Sequence, residues 1–145
     1  FMAEGHPAEL VFEERQVVVG WSDNPILQQP LDLPTFINAR HVGVRIDGRK
    51  TFVERALEQT GLSLNEELIA PSFIQVQHFL PGTGRIALMH ERLARHMARI
   101  LPLTLAEPPL AITPMQEMAQ YHAARTGDTG LHWLLGKIHE QARRV

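Results

Sequence analysis

The chain has 145 residues with 14 Lys+Arg, 16 Asp+Glu, 8 His and no Cys, a length that suits one compact α/β domain or two small lobes sharing the chain. Its 44% apolar and 21% charged residues exclude a chain disordered throughout, and a formal charge of −2 provides no basic field for nucleic acid. Absence of Cys excludes disulfides, thiolate zinc sites and a Cys nucleophile, and no apolar run approaches the ~18–20 residues that span a bilayer.

No signal-peptide pattern opens the chain, so it reads as a cytoplasmic domain with no membrane contact. Phe1 precedes Met2, which leads us to expect a piece of a longer protein. Leu10–Phe12 and Gln16–Trp21 are β-rich runs separated by Glu13-Glu-Arg15. The second is continuously apolar over Val17–Val19, the pattern of a strand covered on both faces. Asp23-Asn-Pro25 is a turn signal. Asp32 caps a short helix that carries Pro34 in its first turn and ends near Asn38. His41–Ile46 is the next strand, closed by the turn Asp47-Gly48. Val53, Ala56, Leu57 and Thr60 then repeat at helical spacing until Gly61.

The alternation continues with a strand at Glu67–Ala70 and a helix opened by Ser72. Phe73, Val76 and Leu80 form the stripe of that helix, and Pro81-Gly82 ends it. Arg85–Met89 is a strand. Leu93, Met97, Ile100 and Leu101 mark a helix from about Glu91, and Leu103–Leu105 a strand before the stiff Glu107-Pro-Pro109. Met115–Tyr121 is the last strand. Thr126-Gly-Asp-Thr129 caps a final helix with the stripe Leu131, Leu134, Leu135, Ile138 and Ala142, and Trp133 is placed among its packed residues.

Such alternation predicts an α/β fold with a mostly parallel sheet and helices on both faces. Ligands of these sheets sit beyond the carboxyl ends of the strands. That rule nominates Trp21 and Ser22, Asp47 to Arg49, Ser72 with Phe73, and His90.

Catalytic and metal motifs fail on spacing. Met89–His96 superficially suggests a helical zinc-protease motif, but position 94 is Ala where the second ligand belongs, and His90 and His96 fall on different sides of a helix. His96 reads instead as a surface residue, and Glu91 with Arg95 as an i,i+4 pair. Pro81-Gly-Thr-Gly-Arg85 lacks the Lys-Ser/Thr of a phosphate loop and follows a helix, so it reads as a turn. No Gly-x-Ser-x-Gly elbow or triad spacing is present. The chain is read as a non-enzyme without cofactor or metal.

The segment Ala70-Pro-Ser-Phe-Ile-Gln-Val-Gln-His-Phe-Leu-Pro-Gly-Thr-Gly-Arg-Ile-Ala-Leu-Met-His-Glu-Arg-Leu-Ala94 resembles the effector-binding domain of LysR-type transcriptional regulators. The resemblance extends through Leu103–Pro109, Gln120-Tyr-His-Ala-Ala-Arg, Thr126-Gly-Asp and Leu131-His-Trp-Leu134, and at the front through Leu10–Pro25. Its wording is nearest to the subgroup that contains the nodulation regulator NodD and regulators responding to aromatic compounds.

The resemblance implies a fold like a type-2 periplasmic binding protein, with two α/β lobes around a cleft. It divides the chain into a remnant of the first lobe (1–13), a complete second lobe (14–107) and a return to the first, partial lobe (108–145). It implies a small aromatic or carboxylate inducer held between the lobes by Ser72, Phe73 and Thr113, to which strand topology adds Trp21 and His90. It also implies an activator that forms homo-oligomers and binds DNA only through a helix-turn-helix outside this chain. The alternative is the small-molecule-binding lobe of a solute-binding or transport protein, which shares the fold.

Overall fold

The computed structural model describes residues 3–144; Phe1 and Met2, on which the expectation of a longer parent rests, lie outside them. In chain order the strands are β1 (Ala8–Glu14), β2 (Gln16–Trp21), β3 (Arg40–Ile46), β4 (Arg49–Lys50), β5 (Glu66–Ala70), β6 (Arg85–His90), β7 (Leu103–Ala106) and β8 (Met115–Gln120). The helices are α1 (Leu33–Asn38), α2 (Phe52–Gln59), α3 (Phe73–Val76), α4 (Glu91–Met97) and α5 (Thr129–Ala142), with 3-10 turns at Pro25–Leu27, Gln77–Phe79 and Ala123–Arg125. The chain divides into two compact units. The larger is Gln16–Thr113; the smaller combines the residues up to Arg15 with those from Pro114 onward.

In the larger unit, β3 pairs in parallel with β5 on one side and with β6 on the other. β2 runs antiparallel to both β6 and β7. β3, β5, β6 and β7 therefore share one direction while β2 and the short β4 oppose them. The sheet is thus mixed, where the strand–helix alternation predicts a mostly parallel one; local alternation does not encode the direction in which a distant strand pairs. The two-residue β4 folds back on β3 through Asp47 and Gly48, both at positive φ. That backbone is what a two-residue hairpin loop requires, and Asp-Gly tolerates it best.

The apolar run of β2 divides between two cores because successive side chains point to opposite faces. Val17 and Val19 pack with Val42, Val44, Val76, Leu80, Ala94 and Met97 on the face of α3 and α4. Val18 packs with Leu31, Phe36 and Ile86 on the face of α1. Burying one such side chain is worth roughly 1.5–3 kcal/mol. The helix starts follow their residue types. Asp32 accepts from the Thr35 N–H at 2.8 Å, and the Thr35 side chain first and this N–H second hold its carboxyl below the usual range; Thr51 forms a reciprocal capping box with Glu54.

Two helices are shorter than the apolar spacing predicts. The segment after Ser72 makes one α turn and continues as 3-10, where buried Gln77 donates its Nε2–H to the Ile74 carbonyl at 2.8 Å. α4 stops at Met97 rather than Leu101, and Pro102 disfavours helical geometry at the residue before it.

In the smaller unit, β1 pairs antiparallel with β8 across a bulge between Leu10 and Phe12, and α5 packs on β1. Here the expected stripe is corrected. Leu135 is 6% exposed, but Leu134 is 48% and Trp133 67% exposed, so Trp133 is not a core residue. A two-stranded ribbon covers only one narrow face of a 14-residue helix.

Candidate functional site

The carboxyl ends of β5 and β6 deliver Ser72, Phe73 and His90 to one end of the larger unit's sheet. Ser72 is the extended residue before α3, and its side chain makes no capping bond. The Phe73 ring lies against the His90 ring, with centroids 4.4 Å apart and planes inclined by 34°. Both residues are half-buried. His90 ends β6, opens α4, and faces Gln16 across the antiparallel pair.

Trp21 is not part of this group. Because β2 runs opposite to its neighbours, its carboxyl end lies with the start of β7, where Trp21 pairs with Leu103. The strand-end rule that nominated it therefore points to the other end of the sheet. Asp47 to Arg49 are occupied in the β3–β4 hairpin. Thr113 is an exposed residue in irregular chain at the end of the larger unit.

Behind the Phe73–His90 pair lies a charged cluster. β3 and β6 pair only through Arg40–Arg85 and His41–Ile86, and a cavity of about 20 Å³ is lined from both strands, by His41–Val44 and Leu88, as well as by Gln16, Glu54, Glu66 and Phe73. Arg45 donates to Glu54 Oε2 at 3.1 Å and to Glu66 Oε2 at 2.6 Å. Glu54 is fixed further by accepting from the backbone N–H groups of Val44 at 3.1 Å and Thr51 at 2.8 Å. Burial acts against the Arg45 charge, but the bond to Glu66 and the field of Glu54 outweigh it and raise its pKa.

Gly43 lets the carboxylates approach the strand. A Cβ there would stand 2.8 Å from Glu66 Oε1 and 3.1 Å from Glu54 Oε1. His41, next to it, is almost fully buried, and its Nε2 lies 2.6 Å from the Phe36 carbonyl. Burial pushes the imidazole pKa down; the Phe36 carbonyl and the charges of Glu66 and Glu54 oppose this without overcoming it.

Sequence reasoning did not single out Gln16, His41, Arg45, Glu54 or Glu66. One signal was available: His41, Gly43 and Arg45 alternate with Val42 and Val44 in a strand that helices cover on both faces. Polar groups on a covered face require internal partners. Among the described residues, no group of three or more His, Cys, Asp or Glu is placed to hold a metal ion, and no helix is long and apolar enough to cross a membrane.

No family model matches the chain. Individual proteins do. It is 33% identical over 147 aligned positions to Nodulation protein D 1 of Rhizobium tropici, an alignment that covers all of this chain and 48% of the relative. The chain thus spans about half the length of the curated relatives it matches. Among solved structures, the regulatory domain of MexT, a transcriptional activator in Pseudomonas aeruginosa, superposes with a TM-score of 0.80 at 20% identity, covering 97% of this chain and 68% of that one. The regulatory domain of MetR, a LysR family regulator from N. meningitidis, gives 0.75 at 11% identity, covering 99% and 69%. At those identities the structures show the fold, and the nodulation proteins supply the likeness in sequence. From end to end the chain is therefore similar in sequence to the nodulation D proteins and in fold to the regulatory domains of LysR family regulators.

Proposed function

We propose that the chain is the effector-sensing part of a LysR-family transcription regulator, and that it binds a small aromatic or carboxylate inducer at the rim formed by Ser72, Phe73 and His90. The observation that carries the reading is the Phe73–His90 ring pair beside a serine whose hydroxyl caps nothing. Two tilted rings in contact offer an apolar, polarisable surface to an aromatic guest. The Ser72 hydroxyl and the first N–H groups of α3 can serve a carboxylate or phenolate oxygen without a cationic side chain. Thr113 belongs to this proposal through the family resemblance.

The action is ligand-biased switching. An inducer that binds one arrangement of the parent homo-oligomer more tightly than another shifts the balance between them and so changes how a DNA-binding domain outside this chain engages its site. Ser72→Trp in the full-length parent places an indole at the rim. The expected result is loss of inducer-dependent transcription in a reporter assay with DNA affinity unchanged. A response equal to wild type removes Ser72 from the site.

A further inference from the structure

Two histidines of the smaller unit accept hydrogen bonds from the backbone, which an imidazole does only while neutral. Ala123 donates its N–H to His6 Nδ1 at 3.2 Å, and Ala124 donates its own to His122 Nδ1 at 3.1 Å. A ring that accepts at Nδ1 carries its proton on Nε2, and a second proton leaves it no acceptor. The two rings also touch, with centroids 4.6 Å apart and planes inclined by 43°. His6 lies just before β1, and His122 caps the 3-10 turn Ala123–Arg125 between β8 and α5. The pair therefore ties the segment before β1 to the turn after β8. His6 is half-buried and His122 exposed, so protons reach both.

We propose that His6 and His122 form an acid-released latch, closed while both rings are neutral and opened when they take up a second proton. Protonation removes the acceptors of the Ala123 and Ala124 N–H groups and sets like charges in contact. The charges around the pair are engaged elsewhere. Arg125 in the turn is held by Asp128 at 3.0 Å, and His132 of α5 faces the Thr126 carbonyl. Glu4 and Tyr121 are the titratable neighbours along the chain, and Glu117 on β8 lies opposite Phe12. Among the described residues no carboxylate pairs with either ring. The opening is local. Gln120 holds Ala3 through two bonds that do not titrate, and the His139–Glu9 contact at 3.1 Å between α5 and β1 strengthens when its ring is charged. A metal ion would have to displace the proton that both bonds place on Nε2, or take Nδ1 from the backbone, so the pair is not a ready metal site. The inference concerns the smaller unit alone and stands apart from the reading of the rim.

The test uses the ¹⁵N-labelled chain at pH 8 and pH 5.5, on either side of where free imidazole titrates. Long-range ring correlations report the tautomers. Hydrogen exchange, corrected for its intrinsic pH dependence, reports the Ala123 and Ala124 amides. The expected result at pH 8 is a proton on Nε2 alone in both rings. On acidification the rings take up a second proton and protection of the two amides falls about tenfold, while the paired amides of β1 and β8 keep theirs. His122→Asn supplies an acceptor that does not titrate, so its Ala124 amide is expected to stay protected at pH 5.5. A proton on Nδ1 of either ring at pH 8, unchanged protection of either amide, or an equal loss across β1 and β8 overturns the proposal. These wild-type readouts decide the question even if His122→Asn fails to fold; a folded His122→Asn that loses Ala124 protection as wild type does also overturns it.

Discussion

His41 sits neutral inside the larger unit, and its titration bears on stability with a definite sign. Burial lowers its folded-state pKa below the ordinary histidine value, against the Phe36 carbonyl and the Glu66 and Glu54 carboxylates that Arg45 binds. The unfolded chain therefore takes up the proton first as pH falls. Stability from this group is complete above about pH 6.5 and declines as pH drops toward the lower folded value, by at most about 1.4 kcal/mol per pH unit. Urea unfolding of His41→Phe beside wild type between pH 5 and 8 is expected to show a flatter dependence in the variant below pH 6.5. Parallel curves would mean that His41 titrates alike in both states. Gly43→Ala tests the neighbouring cluster. Its methyl would meet carboxylate oxygens that Arg45 and backbone N–H groups hold in place, so a loss of about 1–3 kcal/mol is expected in urea melts. A neutral change would mean that Glu66 and Glu54 withdraw freely.

Among the elements, α5 separates pattern from packing most clearly. Its apolar residues recur at helical spacing and Asp128 caps its start by accepting from the Leu131 N–H at 2.9 Å, so its existence could be read locally. Which face is buried could not. Leu134→Ala is expected to cost well under 1 kcal/mol in thermal unfolding, whereas Leu135→Ala costs about 2–4 kcal/mol. Equal losses would place Leu134 in the core after all. The 3-10 continuation after α3 has a similar origin. Val76 and Leu80 are spaced for a helix and both are buried, but the Gln77 amide competes for a backbone carbonyl of the same turn, a contact between neighbours that apolar spacing ignores.

For the whole molecule, charge and topology set the expectations. With a net charge of −2, the isolated chain has no field to attract phosphates, and it is expected to bind duplex DNA no better than a neutral control protein in a gel-shift series at moderate salt. A strong complex that weakens steeply with salt would overturn the effector-domain reading. The order of strands and helices apart from the two-residue β4, the two-faced burial of β2, the Asp47-Gly48 turn and the cap at Asp32 were legible in the chain, as was the likeness to LysR-type effector domains. Each depends on residue types and on neighbours within a few positions. The rim was legible in part: Ser72, Phe73 and His90 follow strands that run with the sheet, and the structure brings Phe73 and His90 into ring contact. Trp21 was misplaced because no local signal states that β2 runs against the others. The same holds for Gln16, His41 and the Arg45–Glu54–Glu66 cluster, whose burial is created by residues dozens of positions away. The sequence by itself determined the elements, their caps and the family likeness, because these are short-range or pattern properties; only the tertiary structure decided strand direction, which helix face is covered, and which polar groups share a cavity, because those depend on pairing between distant parts of the chain.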